Sequence, residues 1–283
     1  MQTALMQRVI SWLLRAMTYF IVFVIACIIL KIAWNGLPVI SWEFLTAMPK
    51  RSGAEGGILP AIIGTLTLVV GTVAVALPLG MATAVYLSEY AKPGRFARTV
   101  RLAIVTLAGV PSIVFGLFGL GLFVMFLGFG ASIISGCLTL ACMILPTIIV
   151  SSEEALRAVP QSFREGSLAL GATKWQTIHK NVLPYSISGM LTGSILGIGR
   201  AAGETAPILL TVAAFYLPKF PKSIFDQVMA LPYHLYVLVT QHPDAAKVRP
   251  MAYATALVLL VLVLAVNLAA ILLRIHIRKK CTW

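Results

Sequence analysis

Six stretches of this chain are long and apolar enough to cross a bilayer as helices. A hydrocarbon core of about 30 Å takes roughly 20 helical residues. That length is met near residues 16–35, 58–87, 102–128, 131–151, 185–216 and 252–274. In lipid every backbone N–H and C=O must be paired within its own segment, which single spans achieve only as helices. Composition agrees, with 59% of the 283 residues hydrophobic and 11% charged, against roughly 25% charged in a soluble domain. The expected fold is an all-α membrane protein of six transmembrane helices, forming one domain over residues 1–283. Arg8 and Arg15 precede the first span and no small-residue cleavage site stands before its polar flank, so it reads as a retained signal-anchor helix. Between the third and fourth spans only Gly128, Gly130 and Ser132 punctuate the apolar run, and the turn is expected there.

Basic residues fix the orientation. The net charge of +13 lies in short segments between apolar runs, where it sets membrane topology and does not indicate nucleic acid. With the amino terminus inside, the inner segments carry Arg8 and Arg15, then Lys92, Arg95, Arg98 and Arg101, then Arg157, Arg164, Lys174 and Lys180, then Arg274, Arg278, Lys279 and Lys280. That is fourteen of the 22 Lys and Arg residues. The outer segments hold Lys50, Arg51, Lys219, Lys222, Lys247 and Arg249. Both termini are therefore expected in the cytoplasm. The outer loops, 36–57 and 217–251, are rich in Pro, Gly and aromatics such as Trp34, Trp42, Pro218 and Tyr233. They suit an aromatic belt at the headgroups or a docking surface for an external partner.

Few residues outside two places suggest chemistry. Cys27, Cys137, Cys142 and Cys281 show no metal-ligand spacing and read as packing residues or bystanders. His179, His234, His242 and His276 are scattered, which argues against a metal site. Pro78, Pro111, Pro146 and Pro207 fall within spans and can kink them. Glu153 and Glu154 read as a solvated face at the inner end of the fourth span.

The first of the two places is the cytoplasmic loop over 152–184. Ser162 and Glu165 match an S-x-x-E capping box, Thr173 and Gln176 match T-x-x-Q, and Gly171 between them is a helix terminator. The expectation is two short helices with a bend, carrying Phe163, Leu168, Leu170, Trp175, Ile178 and Val182 as apolar contacts. Such a pair can rest in a partner's groove or lie on the inner membrane surface.

The second place is the fifth span. A central arginine in a membrane helix costs about 2.5 to 17 kcal/mol, depending on the reference state, so Arg200 needs a polar cavity, a partner charge or the membrane edge. Glu204 follows four residues later on the same helical face. Ser188 and Thr192 extend that face, interrupted by Leu196, while Gly189, Gly193, Gly197 and Ala201 form a small-residue stripe for close packing. Arg200 and Glu204 can line a path for an anion, since a guanidinium fork suits a tetrahedral oxyanion. They can equally neutralise one another at a helix interface.

Glu165-Gly-Ser-Leu-Ala-Leu-Gly171 followed by Leu183-Pro184 resembles the cytoplasmic loop of ABC importer permeases, E-A-A-x-x-x-G with a later I-x-L-P. Gly166 and Ser167 replace the usual alanines and Asn181 the usual isoleucine. Gly56-Gly-Ile-Leu-Pro60, Val110-Pro-Ser-Ile-Val-Phe-Gly-Leu-Phe118 and Gly199-Arg-Ala-Ala-Gly-Glu-Thr-Ala-Pro207 are similar to phosphate importer permeases of the PstA type. The resemblance implies a type I ABC importer permease fold in the bacterial inner membrane, carrying phosphate or another oxyanion such as sulfate, molybdate or phosphonate. It implies that Glu165 and Gly171 shape a coupling element and that Leu183 and Pro184 join it to the fifth span. The partners it implies are two ATPase subunits that bind ATP and Mg, a second homologous permease of the PstC kind, and an external phosphate-binding protein.

Other classes fit less of the sequence. The chain carries no G-x-x-x-x-G-K-S/T loop, so ATP hydrolysis is expected on partner subunits, with no catalytic, cofactor or metal residues here. A secondary transporter or channel would account for Arg200 and Glu204, but no inverted halves are apparent. A membrane enzyme would need a catalytic cluster, and no nucleophile–base grouping stands out.

Overall fold

A computed structural model describes residues 2–50 and 55–280; Arg51 and Cys281 lie outside the described residues. Among the described residues, five helices are long and apolar enough to cross a bilayer. They are α1 (Gln2–Gly36), α3 (Leu59–Val85, prolonged by a π-helical turn at Tyr86–Tyr90), α6 (Ile133–Arg157), α9 (Leu183–Gly203) and α12 (Ala245–Lys280). A short helix α2 (Trp42–Thr46) and an antiparallel pair, β1 (Pro49–Lys50) with β2 (Glu55–Gly56), follow α1. Between α3 and α6 lie α4 (Arg95–Ala108) and α5 (Ser112–Gly119, continued by a π turn at Leu120–Phe126). Two short helices, α7 (Gln161–Ala169) and α8 (Lys174–Thr177), follow α6. Beyond α9 come α10 (Ala206–Thr211) and α11 (Leu231–Thr240).

The third span is not the single helix expected over 102–128. The chain bends by 106° between α4 and α5. Gly109 ends α4, and Pro111 has no N–H to give the preceding turn while its ring crowds that turn's carbonyl. The bent pair nevertheless runs from one end of the helix bundle to the other. Arg101 near the start of α4 reaches Leu87 at the end of α3 and Glu153 at the end of α6, whereas the π turn after α5 leads directly into the start of α6. Counted as one span, it makes six.

The turn expected between the third and fourth spans is present. Gly128 and Gly130 take φ of +68° and +67°, which other residues rarely adopt, and Ser132 caps α6 by accepting from the Ser135 N–H. The helix of the fifth span, expected near 185–216, stops at Gly203. Pro207 cannot donate to the Gly203 carbonyl and its ring would strike it, and glycine weakens the helix at the same point. The sixth helix starts at Ala245, so residues 245–251 are helical and do not belong to the outer loop.

α6 is the central helix and the most buried of the spans. Its Leu140, Ile144 and Ile148 are fully buried against Leu68 and Ala76 of α3, Phe115 of α5, and Ala201 and Ile208 beyond. α9 lies against α6 along the small-residue stripe. A Cβ on Gly189 would come 2.8 Å from the Ala155 Cβ, and one on Gly193 would overlap the Ser151 side chain. α12 covers another side of α9, where Asn267 lies against Gly199 and Arg274 reaches Thr192. α12 therefore runs antiparallel to α9. α1 packs along α12 with its last residue, Gly36, against the Tyr253 carbonyl, so the start of α1 and the end of α12 share the side that holds α7 and α8.

Close approach of α6 and α9 yields a stability prediction. Gly193→Val should cost about 1–3 kcal/mol through overpacking, lowering the Tm of the detergent-solubilised protein. Gly166→Ala, where a Cβ meets nothing within 4 Å, should leave Tm equal or higher. An unchanged Tm in Gly193→Val would remove α6 from that face of α9.

Candidate functional site

Arg200 and Glu204 meet where α9 ends. Arg200 stands in the last helical turn and Glu204 follows the last helical residue with extended backbone, ψ 136°. The two are thus not on one continuous helical face, as the spacing had suggested. The contact forms all the same, with Arg200 Nε donating to Glu204 Oε1 at 3.2 Å. The Arg200 side chain is 42% exposed on this chain and that of Glu204 17%. Among the described residues the Nη groups of Arg200 make no hydrogen bond, so the carboxylate occupies one edge of the guanidinium and leaves the fork open.

The rest of this face of α9 is open on this chain apart from Arg274 of α12 at Thr192. Leu196 and Thr192 are exposed and Ser188 is half-buried, while the glycine stripe beside them is closed by α6. Arg274 of α12 donates to Thr192 Oγ1 at 2.7 Å, which sets a second guanidinium about 12 Å inward from Arg200 at 1.5 Å per residue. Sequence reading had counted Arg274 only as an inner basic residue. His234, placed in the outer loop by sequence, is buried in α11, and desolvation pushes its imidazole down to about 4.

At the other end of α9 the loop forms the expected two helices, with one correction. The box at Thr173 is complete, with reciprocal bonds between Thr173 and Gln176. The box at Ser162 does not form, because α7 already starts at Gln161 behind Pro160, leaving Ser162 inside the first turn. Gly171 takes φ of +83°, and the Gly171 and Ala172 N–H groups close back onto the Leu168 and Ser167 carbonyls. Ser167, one of the departures from the family pattern, bonds its hydroxyl to that of Thr177 at 3.0 Å and ties α7 to α8. Glu165 and Gly171 are exposed, as are Leu170 and Trp175, at 91% and 60%.

Leu183 and Pro184 lie inside a continuous helix that runs from the loop into the fifth span. α8 runs through a π-helical turn at Ile178–Val182 into α9, giving one helix over Lys174–Gly203 of 30 residues. The Leu183 N–H bonds back to the Ile178 carbonyl, and this wider turn accommodates the missing Pro184 donor.

Sequence reading missed a charged junction beneath the loop. Glu153 is buried, and not on a solvated face, because two guanidinium groups hold it: Arg101 Nε and Arg157 Nη2 each donate to its Oε1 at 2.7 Å. Glu154 alone of that pair is exposed. Arg101 also donates through Nη2 to the Leu87 carbonyl. Arg164 of α7 pairs with Glu89 in the π turn after α3. The spacing of Glu153 and Arg157 was the one local signal available.

Comparison with known proteins gives the class. The family model for the binding-protein-dependent transport system inner membrane component matches residues 76–280. The Probable ABC transporter permease protein YqgI of Bacillus subtilis is 35% identical over 262 residues, covering 88% of each chain. The phosphate transport system permease protein PstA 1 of Mycobacterium tuberculosis is 40% identical over 220 residues, covering 77% of this chain and 70% of that one. A crystal structure of a bacterial ABC transporter that imports the acidic polysaccharide alginate shares the fold, with TM-score 0.64 and 16% identity over 96% of each chain. The protein is thus a multi-pass membrane permease component of ABC-importer fold. It belongs to the binding-protein-dependent transport system inner membrane component family.

Breaking the Glu153 junction should be costly. Glu153→Gln leaves Arg101 and Arg157 without their counter-ion. The expected loss is on the order of 2 kcal/mol, below the 3–5 of a fully buried pair because both arginines keep some water. Thermal unfolding of the detergent-solubilised protein measures it, and an unchanged Tm would show that the charges at this junction do not hold it.

Proposed function

We propose that this chain is a permease subunit of an ATP-driven importer that carries inorganic phosphate inward across the bacterial cytoplasmic membrane. The observation that carries the reading is the open fork of Arg200 on an uncovered face of α9. Glu204 holds Nε and the two Nη groups remain for a passing oxyanion, a planar pair of donors matched to two oxygens of a tetrahedral anion. The nearby carboxylate limits how tightly an anion is held, which favours release. Relatives named as phosphate transport permeases support phosphate over other oxyanions.

Drive comes from the other end of α9. The exposed Leu170 and Trp175, on a bend set by Gly171 and with Glu165 exposed on α7 beside them, offer a docking face to ATPase subunits that bind ATP and Mg. Two such subunits, a second homologous permease of the PstC kind and an external phosphate-binding protein complete the assembly. The side holding α7, α8 and most basic residues is cytoplasmic, as are both chain ends, and Leu183 and Pro184 lie within the rod that joins the docking helix to the path.

Reconstituted importer should take up phosphate, and not sulfate or molybdate, in an ATP-dependent way; transport of one of the others instead would reassign the cargo. Uptake should fall from Arg200 to Arg200→Lys to Arg200→Gln, since lysine loses the fork and glutamine the charge. The double change Arg200→Gln with Glu204→Gln should stay inactive although assembled. Restored uptake in the double variant would make the pair a neutralising brace.

A further inference from the structure

The coupling loop is bound to the spans by more than its own chain. By covalent continuity α8 passes into α9. A second connection leads from α7 to α3 and consists of side chains alone. Arg164 donates through Nη2 to Glu89 Oε1 at 2.7 Å and through Nε to both carboxylate oxygens at 3.3 and 3.4 Å. Its Nη1 reaches the Val159 carbonyl at 2.8 Å and its Nη2 also the Leu156 carbonyl at 2.9 Å, at the end of α6. The two side chains are 15% and 9% exposed. A fork of this kind holds its geometry, since separating the two groups breaks several charge-assisted hydrogen bonds at once.

The place it grips suits a moving part. Glu89 lies in the π turn Tyr86–Tyr90 that ends α3, and single π turns in helices recur at functional positions. α8 touches the same turn, with Lys174 Nζ 5.0 Å from the centre of the Tyr90 ring. Both helices of the loop therefore hold the inner end of α3. A cavity of about 690 Å³ opens beside the pair, bordered by Glu89, Arg157, Gln161, Arg164 and Lys174, which leaves room for the junction to shift without repacking a core.

We propose that Arg164 and Glu89 form a strut that passes movement of α7 to the inner end of α3, so that the partner ATPases drive α3 as well as α9. The idea rests on the permease reading above. Arg164 and Glu89 act as positioning residues and touch no cargo. α3 and α9 both pack on α6 and also on each other, with Val69 against Ile198 and Ala202, so moving α9 alone would shear that contact, whereas moving α3 with it would keep it.

The test uses the full complex in proteoliposomes with external binding protein, following radiolabelled inorganic phosphate uptake and ATP hydrolysis in parallel. Arg164→Lys keeps the charge without the fork, and Glu89→Gln keeps the shape without the charge. In both, the ATPases should co-purify and hydrolysis should continue near the unaltered rate, while phosphate moved per ATP falls about tenfold, within the usual range of coupling between sites. Unchanged phosphate per ATP in an assembled variant overturns the strut. So does failure of both variants to assemble, with uptake and hydrolysis falling together, which would make the pair a brace. If the unaltered complex hydrolyses ATP on addition of binding protein but carries no phosphate, the cargo assignment fails. The strut is then read from whichever of sulfate or molybdate the unaltered complex carries, whose movement per ATP should fall about tenfold in both variants.

Discussion

A carboxylate can leave water in so apolar a chain only where cations surround it, and the inner ends of α3, α4 and α6 meet at such a place. Glu153 is held by Arg101 and Arg157, and Arg101 also reaches the Leu87 carbonyl. Remove that junction and, among the described residues, α4 has no side-chain tie to the bundle. The bent pair would then lose the anchor that lets it begin on the inner side and end beside the start of α6. Hydrophobic burial alone does not fix this arrangement, because lipid covers apolar surface as readily as another helix does. Packing through small residues and paired charges does.

α9 and the helix that precedes it give the fold its functional shape. One rod of 30 residues, about 45 Å at 1.5 Å per residue, starts at α8 and carries Arg200 in its last turn. Its inner end is set by Gly171 and the Thr173 cap, its outer end by Gly203 and Pro207. The break at the outer end is what makes the site. Beyond Gly203 the backbone extends, and Glu204 bends back onto the Nε edge of Arg200, leaving the opposite edge free.

Much of this was legible in the sequence where the signal is local. Five spans, the turn at Gly128–Ser132, the cap at Thr173 and the bend at Gly171 each follow from residues within a few positions of one another. The breaks at Pro111 and Pro207 were not separable in advance from Pro78 and Pro146, which lie inside unbroken helices. The difference is a glycine: Gly109 and Gly203 stand two and four residues before the breaking prolines, so helix-weakening and donor loss coincide. The burial of Glu153, the Arg164–Glu89 pair and the reach of Arg274 to Thr192 join residues that are 52, 75 and 82 positions apart. No single-chain pattern states such pairings. They arise only when α3, α4, α6, α9 and α12 have packed.

That the uncovered face of α9 lines an aqueous route for an anion is tested most directly at Thr192, inward from an intact Arg200. Thr192→Cys would be placed in a chain whose Cys27, Cys137, Cys142 and Cys281 are replaced by alanine, and the assembled importer exposed to a charged, membrane-impermeant thiol reagent during ATP turnover. The account predicts that the thiol is modified and that inorganic phosphate delivered by the binding protein slows the modification. A thiol that stays unmodified in the working importer, or whose modification is indifferent to phosphate, would put this face against lipid or a partner helix and contradict the account.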